Sequence, residues 1–132
     1  MVEAGRIETV WEVLDAATTG DAATAIRHLD DLLASGEHPV RVLAGLTVSL
    51  LKTHHAGRLR AARLSLEEAC RIAGIFTIEQ IRRQHAHLGP ARVDRLPAML
   101  LKADLDIKGG SLLDPRVVLE QLVVQLALPR TD

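Results

Sequence analysis

Apolar residues recur along this chain at intervals of three and four, the spacing that places side chains on one face of an α-helix. The first such stripe is Ile7, Val10, Trp11 and Leu14, and the same period continues to the end of the sequence. No segment alternates with the period of two that is typical of a half-buried strand. The pattern predicts an all-α fold.

The types of apolar residue favour helices as well. The 48% of the chain that is hydrophobic is nearly all Leu, Ala, Val and Ile, and the only aromatic residues are Trp11 and Phe76. Leu and Ala are strong helix formers, whereas aromatic side chains are enriched in strands. A length of 132 residues suits one ordinary domain with its own core. We therefore predict a single helical domain, residues 1–132, folded as one antiparallel bundle of about seven helices.

Residues that start and end helices divide the chain. Gly20 is expected to end the first helix near Thr18, and Asp21 to cap the second. Ser65-Leu66-Glu67-Glu68 and Thr77-Ile78-Glu79-Gln80 each have the hydroxyl and the Glu or Gln of a capping box, so each predicts a helix start. The helices after the first are predicted at about 21–36, 39–62, 66–73, 78–88, 94–108 and 114–128.

Proline and glycine set the last boundaries. Asp94 is predicted to cap the sixth helix, because Pro97 then falls in the first turn, where its missing N–H costs nothing. Gly109-Gly110 is expected to end that helix, and Asp114-Pro115 to open the last one. The first half of the third helix and residues 117–128 of the last are apolar over most of their surface. Both are predicted to be buried, the last helix in this domain or in a partner.

The sequence contains no recognisable catalytic or ligand-binding motif. The only glycine pair, Gly109-Gly110, follows a helix and lacks the Lys-Ser/Thr of a phosphate loop. None of the six histidines has another three or four residues away, the spacing that a metal site on one helix needs. The single cysteine, Cys70, is predicted to be buried and inert. We expect a non-catalytic protein with no cofactor and no metal ion.

Charge is unevenly distributed although the formal net charge is −1. Residues 1–37 carry eight acids against two arginines, a net of −6. Residues 38–95 carry ten basic residues against four acids, a net of +6. The basic middle could bind nucleic acid, dock an acidic patch on a neighbouring subunit, or be neutralised by the acidic segment within the fold.

The amino terminus has no apolar stretch flanked by basic residues, so it does not have the pattern of a secretory signal. The longest uncharged apolar stretch, residues 42–51, is too short to span a bilayer. These features predict a cytoplasmic protein that has no membrane partner.

Residues 65–88 predict two short helices joined at Gly74, an arrangement that resembles a helix-turn-helix. The recognition helix would be residues 78–88, with Arg82 and Arg83. Any pair of helices joined through glycine has this pattern, and the second helix lacks an outward stripe of Asn, Gln and Arg. A small helix-turn-helix DNA-binding protein is therefore the alternative function.

Three segments, in order, carry a resemblance to a known family. The first runs from Gly20-Asp21 through Leu32-Leu33 and Gly36 to Pro39–Leu43, the second is Leu64–Gly74, and the third is Leu100–Gly109, followed by a Leu- and Val-rich final helix. Their order and spacing resemble the C-terminal domain of the delta subunit of bacterial DNA polymerase III, the clamp-loader delta family. The likeness spans residues 7–128.

The resemblance implies a role in DNA replication without catalysis. Delta subunits are similar to AAA+ proteins but lack a working ATP site, and their C-terminal domains pack with those of the other clamp-loader subunits into a collar. The implied partners are those subunits, within the polymerase III holoenzyme, with primer–template DNA only an indirect partner. This chain would lack the N-terminal AAA+ modules.

Two sets of candidate site residues follow from this interpretation. The candidate subunit interface, on the apolar last helix, is Val117, Val118, Val124 and Leu128. The candidate DNA-proximal basic residues are Lys52, Arg60, Arg63, Arg82 and Arg83.

Overall fold

The computed structural model describes the backbone of residues 2–131 and the side chains of residues 10–131, so the side chain of Ile7 in the predicted first stripe lies outside it. The described chain forms seven α-helices and a π-type turn, without a strand, which confirms the predicted all-α fold. The helices are α1 (Val2–Thr18), α2 (Ala22–Ala34), α3 (Pro39–Ala61), α4 (Leu66–Ala73), α5 (Ile78–Leu88), α6 (Pro90–Leu105) and α7 (Pro115–Ala127), and the turn is Asp106–Gly110.

Three of the predicted N-caps are confirmed by hydrogen bonds. The carboxylate of Asp21 accepts from a backbone N–H in the first turn of α2 at 3.1 Å. Ser65 Oγ and the Asp114 carboxylate accept equivalent bonds in α4 and α7, at 3.1 and 2.9 Å. Thr77 is the N-cap residue of α5 as predicted, but the predicted side-chain cap does not form, because its hydroxyl donates to the side chain of Gln80 at 3.0 Å and accepts no backbone N–H.

The predicted start of α6 at Asp94 is also wrong. Gly89, with a φ of +81°, separates α5 from α6, and α6 begins at once with Pro90. A proline is well placed at the first helical position because its missing N–H has no helical partner there. Pro97 therefore lies inside the helix instead of in its first turn.

A histidine from α3 replaces the hydrogen bond that Pro97 cannot make. A proline inside a helix leaves the carbonyl four residues earlier without its usual donor, and here that carbonyl belongs to Val93. His54 Nδ1 lies 2.9 Å from the Val93 oxygen, so the ring donates the missing bond from α3. The helices come this close because Gly57 has no side chain: a Cβ there would lie 2.6 Å from Val93 Cγ1.

Helix α3 joins two hydrophobic clusters and packs against α1, α4, α5, α6 and α7. The prediction that its first half is buried on all sides is wrong, since Val48 is 61% exposed. Cys70 is buried as predicted, and this burial raises the pKa of its thiol. The larger cluster lies mainly between α1, α2, α3, α6 and α7. The smaller cluster is Ala56, Ala69, Cys70, Ala73 and Ile81.

A buried arginine joins the C-terminal ends of α5 and α7. Arg92, in the first turn of α6, donates to the carbonyls of His87 and Leu88 at 3.1 Å each. It also donates to the carbonyls of Gln125 and Leu128 at 2.8 Å each. The last carbonyls of a helix lack helical donors and carry partial negative charge, which favours a cation beside them. One side chain thus stabilises two helix ends and the segment that follows α7.

We expect Arg92→Met to lower the free energy of unfolding by at least about 2 kcal/mol, because four carbonyls lose a charged donor while the apolar stem is kept. Arg92→Lys should recover only part of this loss, since an ammonium cannot reproduce the planar fork of a guanidinium. Urea denaturation measures both variants. Arg95→Met, on the exposed side of α6, is the control, and equal stability of the two Met variants would contradict the assignment.

A second prediction concerns the proline in α6. His54→Leu should lower the free energy of unfolding by about 1–3 kcal/mol, because the Val93 carbonyl loses its donor. In the double variant His54→Leu/Pro97→Ala, the alanine supplies a helical N–H to that carbonyl, so the double variant should be more stable than His54→Leu alone. A double-mutant cycle measures this coupling, and strictly additive effects would show that the two residues do not share the carbonyl.

Candidate functional site

The candidate interface on α7 is only partly at the surface. Val124 and Leu128 are 40% and 51% exposed, and Val117 is half-buried. Val118 is corrected to a core residue, since it is 4% exposed and lies in the larger cluster. Residues four apart share one face of a helix, so Val118 points the same way as the buried Leu122. The exposed apolar surface of α7 is therefore smaller than the sequence predicts.

A groove between α1, α3 and the start of α5 displays large apolar side chains. Its volume is about 620 Å³, and both aromatic residues of the chain line it. Trp11 is 48% exposed and Phe76 is 97% exposed. The exposed Val48 of α3 also lines the groove, while Arg41 and Lys52 add positive charge. We call this surface, defined by Trp11, Val48 and Phe76, the aromatic groove.

The five candidate basic residues do not form one patch. Lys52 lines the aromatic groove, where its ammonium lies 3.5 Å from the carbonyl oxygen of Gly74. Arg83 lies 3.7 Å from the carboxylate of Asp15 on α1. Arg63 follows the end of α3 with a φ of +73°. The two remaining candidates, Arg60 and Arg82, line the same surface.

A second groove, of about 790 Å³, lies between the end of α3, α5 and the start of α6. It brings together Arg60 and Arg82 from the predicted set with Arg58 and Arg130, which were not in it. Arg130 follows α7 and donates to the carbonyl of Ala86 on α5 at 3.1 Å. No local sequence signal places a residue near the C-terminus beside α5, because that position depends on where α7 ends. We call the surface formed by Arg58, Arg60, Arg82 and Arg130 the basic groove.

A histidine beneath the basic groove orients Arg60. His85 Nε2 lies 3.0 Å from the carbonyl oxygen of Thr53, and a carbonyl can only accept, so Nε2 carries the proton. His85 Nδ1 is then free of hydrogen and accepts from Arg60 at 3.1 Å. Burial lowers the pKa of His85, and the nearby charge of Arg60 lowers it further. The neutral ring thus holds the guanidinium at the groove.

The helix-turn-helix alternative requires α5 to present polar side chains outwards. Gln84 is instead buried and accepts from the Thr53 hydroxyl at 2.8 Å. His87 Nε2 donates to the carbonyl of Leu126 at 3.0 Å. The outward Arg82 pairs with Glu79 one turn earlier, at 3.2 Å. Gln84 and His87 therefore serve internal contacts and cannot reach bases, while Arg82 keeps an exposed guanidinium in a surface ion pair.

Within residues 10–131, no three His, Cys, Asp or Glu side chains come together in a group that could hold a metal ion. None of the described helices is long and apolar enough to cross a membrane.

Comparison with known proteins agrees with the helical architecture. The solved structure of the Bacillus subtilis DNA clamp loader delta protein is similar, with a TM-score of 0.64 at 15% sequence identity. The similarity covers 92% of this chain and 36% of that protein, so this chain spans little more than a third of that protein's length. No curated protein sequence matches the chain.

The family model described as DNA polymerase III delta subunit, C-terminal domain, matches residues 7–126. That range includes all three segments on which the resemblance was based, and it runs from α1 into α7. This chain therefore belongs to the family of C-terminal domains of DNA polymerase III delta subunits.

Proposed function

We propose that this chain acts in DNA replication as a non-catalytic assembly module that binds other clamp-loader subunits through its exposed apolar surfaces. Membership of the delta C-terminal domain family supports this role. In this proposal residues 1–132 work as one module of the polymerase III holoenzyme in the cytoplasm, and the subunit contacts themselves do not touch the primer–template DNA.

The observation that carries the proposal is the exposure of both aromatic residues around one groove. Aromatic side chains have the largest apolar area, so their burial stabilises a protein strongly. A monomer that leaves both of them exposed lacks this stabilisation, and binding a partner would supply it. Clustered exposed apolar side chains mark protein interfaces, and aromatic residues dominate the binding energy of such interfaces. The aromatic groove therefore suits the centre of an interface with another clamp-loader protein.

Helix α7 offers a second, smaller apolar surface. Its exposed members are Val124 and Leu128, at the end of the helix. A standard protein interface buries roughly 800 Å² on each partner, which exceeds what two aliphatic side chains provide. A subunit in a ring contacts two neighbours through different surfaces, so the aromatic groove and the end of α7 suit the two sides of such an assembly.

We expect Phe76→Asp and Val124→Asp each to abolish or strongly reduce co-purification with the other clamp-loader subunits, because each places a charge in an apolar contact. Both side chains are exposed, so circular dichroism and the thermal midpoint of the isolated chain should stay close to those of the wild type. Pull-down of the co-expressed subunits through a tag on this chain measures assembly.

Leu112→Asp is the matched control. Leu112 is fully exposed and lies outside both surfaces, so this variant should assemble normally. Val118→Asp is the opposite control and should unfold the domain, because it buries a carboxylate in the core. Normal assembly of the folded Phe76→Asp and Val124→Asp variants would show that neither surface is a subunit interface.

A further inference from the structure

We propose that the basic groove binds the phosphate backbone of duplex nucleic acid without reading its sequence. This inference is separate from subunit assembly, since it concerns another surface of the fold. It rests on the charge, the shape and the side-chain composition of the groove.

Charge is the first argument. Four arginines line the groove, and among the lining residues that the structure describes Asp94 is the one acid, 3.5 Å from Arg58. Glu79, which is not among them, pairs with Arg82 at 3.2 Å. The arginines come from α3, from α5 and from the segment after α7, so the fold gathers charge that is dispersed in the sequence. A concave basic surface concentrates positive potential and attracts polyanions. Guanidinium groups also match phosphate geometry with paired hydrogen bonds.

The backbone adds to this potential. Helix α6 begins at Gly89-Pro90, and both residues line the groove. The N-terminus of a helix carries partial positive charge, which supports an anion bound beside it. This contribution is secondary to the arginines, because Arg92 and the first turn of α6 already make internal hydrogen bonds.

Side-chain composition selects the kind of polyanion. Between the arginines, the groove is lined by small residues such as Gly57, Ala61 and Ala86, and neither aromatic residue of the chain reaches it. Single strands are usually held by bases that stack on aromatic rings, which this groove cannot offer. Protein partners usually bury a large aromatic anchor such as Trp or Tyr in an interface, whereas the apolar residues described in the lining of this groove are small, with Val93 and Pro90 the largest. The phosphate backbone of a duplex needs neither aromatic rings for stacking nor a pocket for a large apolar anchor.

The test is the affinity of the intact chain for a short labelled DNA duplex, measured by fluorescence anisotropy over a range of salt concentrations. We expect Arg58→Gln/Arg82→Gln to weaken binding about tenfold at low salt and to make the slope of log K against log salt shallower by about two. Asp94→Asn should have the opposite effect and tighten binding several-fold, because it removes the carboxylate that lies beside Arg58.

Arg27→Gln/Arg71→Gln is the matched control, since it makes the same change in net charge at exposed arginines outside the groove. This variant should bind the duplex within about twofold of the wild type. An equal loss in both double variants would overturn the proposal, because binding would then follow net charge alone. Tighter binding of single-stranded DNA, or full displacement of the duplex by polyglutamate at equal charge concentration, would overturn it as well.

Discussion

The guanidinium of Arg92 fixes the position of the end of α7 and of one part of the basic groove. This group ties the ends of α5 and α7 to the first turn of α6, and so fixes the course of the chain after α7. That course places Leu128 at the surface and carries Arg130 to α5, where it completes the basic groove. A buried arginine is costly to desolvate, and its hydrogen bonds to helix-terminal carbonyls offset that cost.

Helix α3 connects the aromatic groove and the basic groove. Its first half buries one side in the larger cluster and turns Val48 outwards into the aromatic groove. Its second half contributes Arg58 and Arg60 to the basic groove. The absence of a side chain at Gly57 lets α6 approach closely enough for His54 to support the helix at Pro97. A helix whose first half looks apolar on most sides in sequence thus divides its sides between the core and the two grooves.

The sequence predicts the elements well because the signals for them are local. Glycine and capping residues mark most boundaries, so α4 and α5 begin and end as predicted. The predicted start of α6 was wrong because a proline usually lies in the first turn of a helix. Inside α6, the carbonyl that Pro97 leaves without a helical donor receives its hydrogen bond from His54 of α3. Neither groove was predicted as a surface. Arg60 and Arg82 were identified by charge, whereas Arg130 could not be, since no periodicity relates it to α5.

By itself the sequence determined an all-helical chain, the approximate limits of its helices and its family, because these depend on residue type, spacing and order along the chain. Tertiary structure decided which apolar residues remain in water. Val118 and Val124 are both valines on α7, yet Val118 is buried in the core and Val124 is exposed. It also decided that both aromatic side chains share an open groove. The reason is that exposure depends on which helix packs against each face, and that is set by contacts between residues far apart in sequence.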